Sequence, residues 1–598
     1  MIVPPSSITS SQGCIDFLSY SSSLDGWIAG GWIDLGWDDQ DAAPNCLLEF
    51  SDARVEGGAT VCIFPRPDVR KIGTGILIFV EGKSERRDSF QDLILTRDGQ
   101  HFRLTPSEPL EQPSEAEAIT RTKSLLAGAL RSSRRATFLR LMNRPTYAGF
   151  DTLEAVQPPL FLEMDSVCLC PPGGLLLRGW FIDPFKSIAS IRVRCGAQSR
   201  LLDTKHWIPI PRPDVREGFS RQFGGLTDQC GFLAFVPDVY TPGETVYFEL
   251  QTKSGDAAFK RIPQVRSPGI DTIKETLSNL ELRYEELAQG YDHVLGPAIG
   301  AMNDFRMMDR VGYKEMVFGP VLDAPRCSII VPLYGRIDFM ELQLAFFSRT
   351  LEPGHEIIYV LDDPTKTRAA EALATSCLAR FRMPFRLVEL SANVGYAPAN
   401  NIGLAVARGQ YVCFLNSDVF PKTPDWLESM LETAMTRPDV GVVGALLVFE
   451  DETIQHEGCS YEVLPEFAGW SFSLHPRKGR FPNDDSSVQE VEAVTGACLM
   501  MPMQLAREVG GFDEGYVIGD FEDVDLCRKA QERGLICVVD RRARLYHLER
   551  QSQGGQSNSW RLNLTLYNAW RFQKRWVTSA SELTASDPAP HALADSAA

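Results

Sequence analysis

The sequence predicts a multidomain protein in which two β-sandwich-like repeat modules precede a mostly parallel α/β sheet covered by helices. Three observations carry this. The hexapeptide Pro-Arg-Pro-Asp-Val-Arg occurs twice, beginning at Pro65 and at Pro211. Short apolar segments punctuated by Gly and Pro surround both copies. After about Pro325 the pattern changes to strands rich in β-branched residues that alternate with helical stretches. A chain of 598 residues is also too long for one hydrophobic core.

The repeat is wider than the hexapeptide. GWIAGGWIDLG (Gly26 to Gly36) matches GLLLRGWFIDP (Gly174 to Pro184) at nearly the offset that separates the two hexapeptides. The expected modules are 1–112 and 151–265. Between them, 113–150 reads as a helical connector; Arg121 to Arg144 holds seven Arg or Lys and no acidic residue. That stretch offers either a solvated face or contact with an anionic membrane surface. Residues 266–322 read as a helical linker with Ile273, Leu277, Leu280, Tyr284 and Leu287 at a/d spacing. The α/β domain is expected over 323–577, and 578–598, rich in Ala, Ser, Asp and Pro, reads as a disordered tail. Trp27, Trp32, Trp37, Trp180 and Trp207 could stack on sugar rings, but Trp32 and Trp180 share one repeat position, which favours packing.

Composition narrows the function. The formal net charge of −18 argues against a broad nucleic-acid surface, which needs phosphate-neutralising Lys and Arg. Nothing reads as a membrane-spanning run or a signal peptide. The 14 cysteines form no CxxC, so a reduced, cytoplasmic protein without a structural zinc site is expected.

Within the α/β domain, ligands are expected where parallel strands end at their carboxyl edges. Three strand ends there are polar: Pro332-Leu333-Tyr334-Gly335-Arg336, Asp362-Asp363 and Asn416-Ser417-Asp418. The segment from Asn393 to Gly409 adds a loop with Gly395 that feeds a helix carrying Asn400. Each strand end alone fits a turn or an N-cap; the ordered set is more specific.

The series SIIVPLYGR, VLDD, NVGYAPANNIGLAVARGQYVCFLNSDV, VTGACLMM, VGGFDEGY and FEDVDLCRKAQERG resembles glycosyltransferase family 2, from about Pro325 to Trp576. GGFDE before EDVDL, with NLTLYNAWRFQKRW near the end, is similar to rhamnosyltransferase-type members. The resemblance implies a GT-A fold, inversion at the sugar, a nucleoside-diphosphate sugar donor and Mg²⁺ or Mn²⁺. It also implies a surface-glycan or lipid-linked acceptor, met by a cytoplasmic protein in peripheral contact with the membrane. Oligomeric state is left open.

The family's Asp-x-Asp motif falls here on Asn416, Ser417 and Asp418. Asp418 would then be the main anionic metal ligand, because hard oxygen donors suit these ions, and His547 either reaches the metal or is satisfied locally. The resemblance assigns Asp362 and Asp363 to the nucleotide, with Pro332, Tyr334, Asn393 and Gly395 around it. Asn400 either completes that pocket or fixes loop to helix. Asp523 would be the general base, kept ionised by its place in a helix first turn, with Glu522 and Asp525 orienting it or binding acceptor. His456 and the turn at Thr495 and Gly496 are expected on the acceptor side. Arg544 and Arg550 read as exposed charges or diphosphate contacts. Two rival readings are a glycan-binding assembly protein with a decayed catalytic domain, for which Asn416 speaks, and a sugar nucleotidyltransferase. The second would want a Gly-rich, basic loop after the first strand, and VPLYGRIDF lacks one.

Overall fold

A computed structural model describes residues 12–34, 44–51, 53–69, 73–82, 89–97, 100–129, 133–223, 228–278, 280–308, 311–483, 485–548 and 559–578. Trp37, Arg550 and the tail lie outside these. Two compact units result: 1–167 with 173–205 and 209–266, and 267–598 with 168–172 and 206–208.

In the first unit the expected pair of sandwiches takes two different forms. The first module is a closed seven-stranded barrel, shut where Gly13–Ser21 runs parallel to Gln100–Glu111. A two-residue alternation reads alike in a barrel and a sandwich; closure depends on the first strand meeting the last, which no local pattern encodes. The second module has two four-stranded sheets. The repeated motifs do the same work in both. Arg66 bonds to Asp16 and Asp68, and Arg212 bonds to Asp165 and Asp214, so the hexapeptide arginine ties its turn to the first strand of its module. Gly31 and Gly179 are required by close approach: a Cβ would lie 1.9 Å from the Cys14 carbonyl and 2.2 Å from that of Glu163. Trp32 and Trp180, each next to its glycine, are half-buried.

The connector forms helices Glu115–Ala127 and Ser133–Met142. Ser114 caps the first in a capping box with Glu117. Their inner faces, Ala118, Leu126, Phe138 and Met142, pack against Phe17, Ile28 and Leu77 of the barrel. A buried ionic group joins the modules within this unit. Arg194 pairs with Glu249 and with Asp25, and Arg144 also reaches Glu249. Arg194→Ala leaves Glu249, 3% exposed, with Arg144 as its remaining partner and should destabilise this unit by about 1.5–3 kcal/mol, measured as a lowered midpoint of its denaturant unfolding.

The second unit is built on one 11-stranded sheet. Its parallel centre is Cys327–Leu333 between His355–Leu361 and Tyr411–Leu415, with Phe385–Leu390 beyond. These strands are continuous apolar runs because helices cover both faces. Tyr411–Leu415 then pairs antiparallel with Cys498–Pro502, so the sheet is mixed beyond the centre. Helices Phe339–Thr350, Thr367–Phe381, Tyr396–Val406 and Trp426–Thr436 flank it.

Of the segment 266–322, expected as a linker, all but Arg266 belongs to this unit. Tyr313–Phe318 is an antiparallel edge strand on Phe385–Leu390. The a/d series is split between helices Ile270–Leu277 and Tyr284–Gly290. Ile273, Leu277, Leu280 and Leu287 are buried, whereas Tyr284 is exposed at the start of the second helix. On either side of the break, Asn563 donates to the carbonyls of Leu277 and Leu280.

Candidate functional site

At the carboxyl edge, Asp362 is buried and holds the next loop. Its Oδ1 accepts from the Val394 N–H (2.7 Å), and its Oδ2 from the Gly395 N–H and the Asn393 amide, both at 2.9 Å. Burial lifts its carboxyl to about 7, against the pull of those N–H donors and of Arg306. Gly395 turns into the helix at φ +96°, a left-handed conformation that favours glycine. Asp363 accepts from the Thr365 N–H and hydroxyl and caps a short 3₁₀ turn. Asn400 is fully buried; its Nδ2 donates to the Tyr396 carbonyl, and its Oδ1 has no hydrogen-bond partner among the described residues. Pro332 is half-buried at the strand end, and Tyr334 beside it is 52% exposed.

The Asn416–Asp418 corner is tied on three sides. The Asn416 N–H donates to the Ala497 carbonyl (3.0 Å), and Gln343 donates to the carbonyls of Asn416 and Val419. Val419 pairs in register with His547, which brings His547 Nε2 to 3.5 Å from Asp418 Oδ1. Two donors about 2.1 Å from one ion stand about 3.0–3.5 Å apart, so this pair fits a shared divalent cation. Asn416 Oδ1 and His547 Nδ1 are buried without hydrogen-bond partners among the described residues, as expected of a polar corner shaped for a ligand. Ser417 is half-buried in the same corner.

Asp523 approaches from the neighbouring strand end. Leu415 pairs with Cys498, so the turn Thr495–Ala497 lies next to the Asn416 corner. The Gly496 N–H donates to Asp523 Oδ2 and the Val524 N–H to Oδ1, both at 2.8 Å. Burial raises the Asp523 carboxyl, and these two donors oppose the rise. The Thr495 side chain bonds the same carboxylate and also opposes the rise. Glu522 is buried, and its Oε2 has no partner among the described residues; burial, then Asp523 and Asp520, push its carboxyl well up.

Tyr396, which the sequence reading passed over, is the hub. Its hydroxyl donates to the Gly496 carbonyl at 2.8 Å, and the carboxylates of Glu522, Asp523 and Asp418 all act on it electrostatically. Asp523 and Tyr396 therefore meet at Gly496, next to the residue that accepts from Asn416. A Cβ on Gly496 would stand 2.9 Å from that hydroxyl and 3.3 Å from Asp523 Cβ. Gly496→Ala should cost about 1–3 kcal/mol of stability and displace Asp523, seen as lost turnover at a modestly lowered melting temperature.

Two expected acceptor-side residues lie inside the protein. Asp525 is fully buried; it accepts from Tyr516 and Trp576 and pairs with Lys529. His456 is also fully buried, its Nε2 accepting from the N–H groups of Gly458 and Thr495 at 3.3 Å. It braces the turn that holds Asp523. Arg544 donates to the Arg541 carbonyl.

The approach to Asp523 is strained. Ile518, Asp520 and Phe521 have φ of +66°, +81° and +76°, each worth about 1–3 kcal/mol in a non-glycine residue. The helix Ser559–Phe572 restrains this loop. Asn568 bonds the backbone of Val517 and Gly519, and Arg561 and Thr565 hold Asp520.

Residues 328–509 match the family model for glycosyl transferase family 2. The chain is 30% identical over 271 residues to the uncharacterized protein y4gI of Sinorhizobium fredii, covering 45% of this chain and 29% of that one. It is 29% identical to the O-antigen biosynthesis protein RfbC of Myxococcus xanthus, covering 42% of this chain and 20% of that one. It is 26% identical to an N-acetylglucosaminyl-diphospho-decaprenol L-rhamnosyltransferase of Mycobacterium tuberculosis, covering 28% and 60%. The chain thus spans under a third of the length of the first two.

Proposed function

Since residues 328–509 are a glycosyl transferase family 2 domain, we propose that the chain moves a sugar from a nucleoside-diphosphate sugar to a hydroxyl on a surface-glycan or lipid-linked acceptor, with inversion. One observation carries the reading: Gly496 holds Asp523 while the adjacent Ala497 holds Asn416, so the Asp523 carboxylate and the Asp418–His547 corner share the carboxyl edge of one sheet. The relatives named for O-antigen biosynthesis and for rhamnosyl transfer support the acceptor class. Among the described residues no helix is long and apolar enough to cross a membrane.

In this reading the exposed Tyr334 covers the base, and the loop pinned by Asp362 shapes the nucleotide pocket. Asp523 takes the proton of the acceptor hydroxyl. The freed oxygen bonds to the anomeric carbon as the bond from that carbon to the diphosphate oxygen breaks. The leaving nucleoside diphosphate keeps the electron pair. Asp418 and His547, with the Asn416 amide oxygen, would hold Mg²⁺ or Mn²⁺, which supplies charge neutralisation at the diphosphate.

The test is incubation with a panel of nucleotide sugars and Mn²⁺. Release of nucleoside diphosphate from one donor is expected. Pyrophosphate formed from a nucleoside triphosphate and a sugar phosphate would instead make the protein a nucleotidyltransferase, and glycan binding without turnover would make it an assembly protein.

A further inference from the structure

We propose that His456, Cys459 and His475 form a second metal site, selective for a borderline-soft divalent cation of the Zn²⁺ kind and separate from the Asp418 corner. The fold brings them together. Ser460–Leu464 and Trp470–Leu474 form a two-stranded hairpin whose outermost pair is Ser460 with Leu474. The residues just beyond that pair are Cys459 and His475. Gly458, at φ +109°, turns the chain so that His456 faces them.

The donor triangle has the dimensions of a zinc site. The two Nδ1 atoms are 3.0 Å apart, and Cys459 Sγ is 3.9 Å from each. A point about 2.05 Å from both nitrogens falls about 2.2 Å from the sulfur, and a small lift out of the plane makes that about 2.3 Å. Zinc–imidazole and zinc–thiolate bonds have these lengths. Thiolate and imidazole also select zinc over Mg²⁺ or Mn²⁺, which prefer oxygen.

The surroundings supply access. His456 and Cys459 are buried, but Cys459 also lines a cavity of about 530 Å³ whose wall includes Glu457, Glu490, Glu492 and Gln531. Glu457 is paired with Arg541 and Arg477; Glu490 and Glu492 leave the wall acidic, and the cavity can furnish water as a fourth ligand. Without metal, the N–H donors of Gly458 and Thr495 occupy His456 Nε2, so the imidazole proton sits on Nδ1 toward His475. Binding replaces that proton and the Cys459 thiol proton with metal–nitrogen and metal–sulfur bonds; both protons pass to solvent, and His456 binds as an imidazolate, so that imidazolate and thiolate together balance the charge of a divalent ion. The two backbone donors then steady the electron-rich ring.

The proposal stands independently of the transferase reading. Its test is titration of the reduced full chain with Co²⁺ in excess Mg²⁺. A thiolate-to-cobalt charge-transfer band saturating at one ion per chain, and bleached by Zn²⁺, is expected. Cys459→Ser should abolish the band, and His475→Ala should weaken Co²⁺ binding about tenfold or more. Asp418→Ala should keep the band. No band in the wild type, a band surviving Cys459→Ser, unchanged affinity in His475→Ala, or loss of the band in Asp418→Ala would each overturn the site; the cluster would then be a hydrogen-bonded triad.

Discussion

Asp523→Asn is expected to lower turnover by about 10²–10⁴-fold, the range general-base catalysis contributes, in a protein that still folds. The substitution keeps the volume of a half-buried side chain and an oxygen to accept from Gly496 or Val524. What it removes is the group able to take a proton. The wild type should also show this group in its pH profile. Burial raises the Asp523 carboxyl above an ordinary aspartate, and only its ionised form can act as base. Turnover should therefore climb with pH along an acidic limb whose midpoint lies above about 3.9. The measurement is kcat/KM for the identified donor across pH; a variant with unchanged turnover would remove Asp523 from the mechanism.

Asp418→Ala should lower kcat/KM by about 10²–10³-fold, the factor that several kcal/mol of charge stabilisation at a diphosphate represents. Asn416 makes the effect larger: with a neutral amide in the corner, Asp418 is the carboxylate that remains to bind the cation. A chelator should silence the wild type, and added Mn²⁺ should restore it but leave the variant inactive. Equal rescue of both proteins would place the cation elsewhere.

How much was legible follows from what each residue depends on. Asp362, Asn416, Asp418 and Asp523 could be found because polar residues abruptly ending apolar strands, or opening a helix, are local patterns. Gly395 was legible for the same reason. Tyr396 was not: it reads as a helix-opening aromatic, and its role comes from a hydroxyl bonded to a carbonyl a hundred residues later. Asp525 misled through proximity. Two helical positions differ by about 200° around the axis, so Asp525 points into the core when Asp523 points out. The barrel closure and the edge strand Tyr313–Phe318 rest on pairings across long loops. His456 was singled out only for the acceptor side; its grouping with Cys459 and His475 escaped because a hairpin separates the last two, and the spacing copies no familiar ligand pattern.

The left-handed run from Ile518 to Phe521 has a consequence for biosynthesis. The side chains that restrain it, Arg561, Thr565 and Asn568, leave the ribosome after every strand of the sheet. A nascent chain can complete that sheet while Asp523 still lacks a fixed bearing. The bearing of Asp523 is then set once the helix Ser559–Phe572 has folded against that loop.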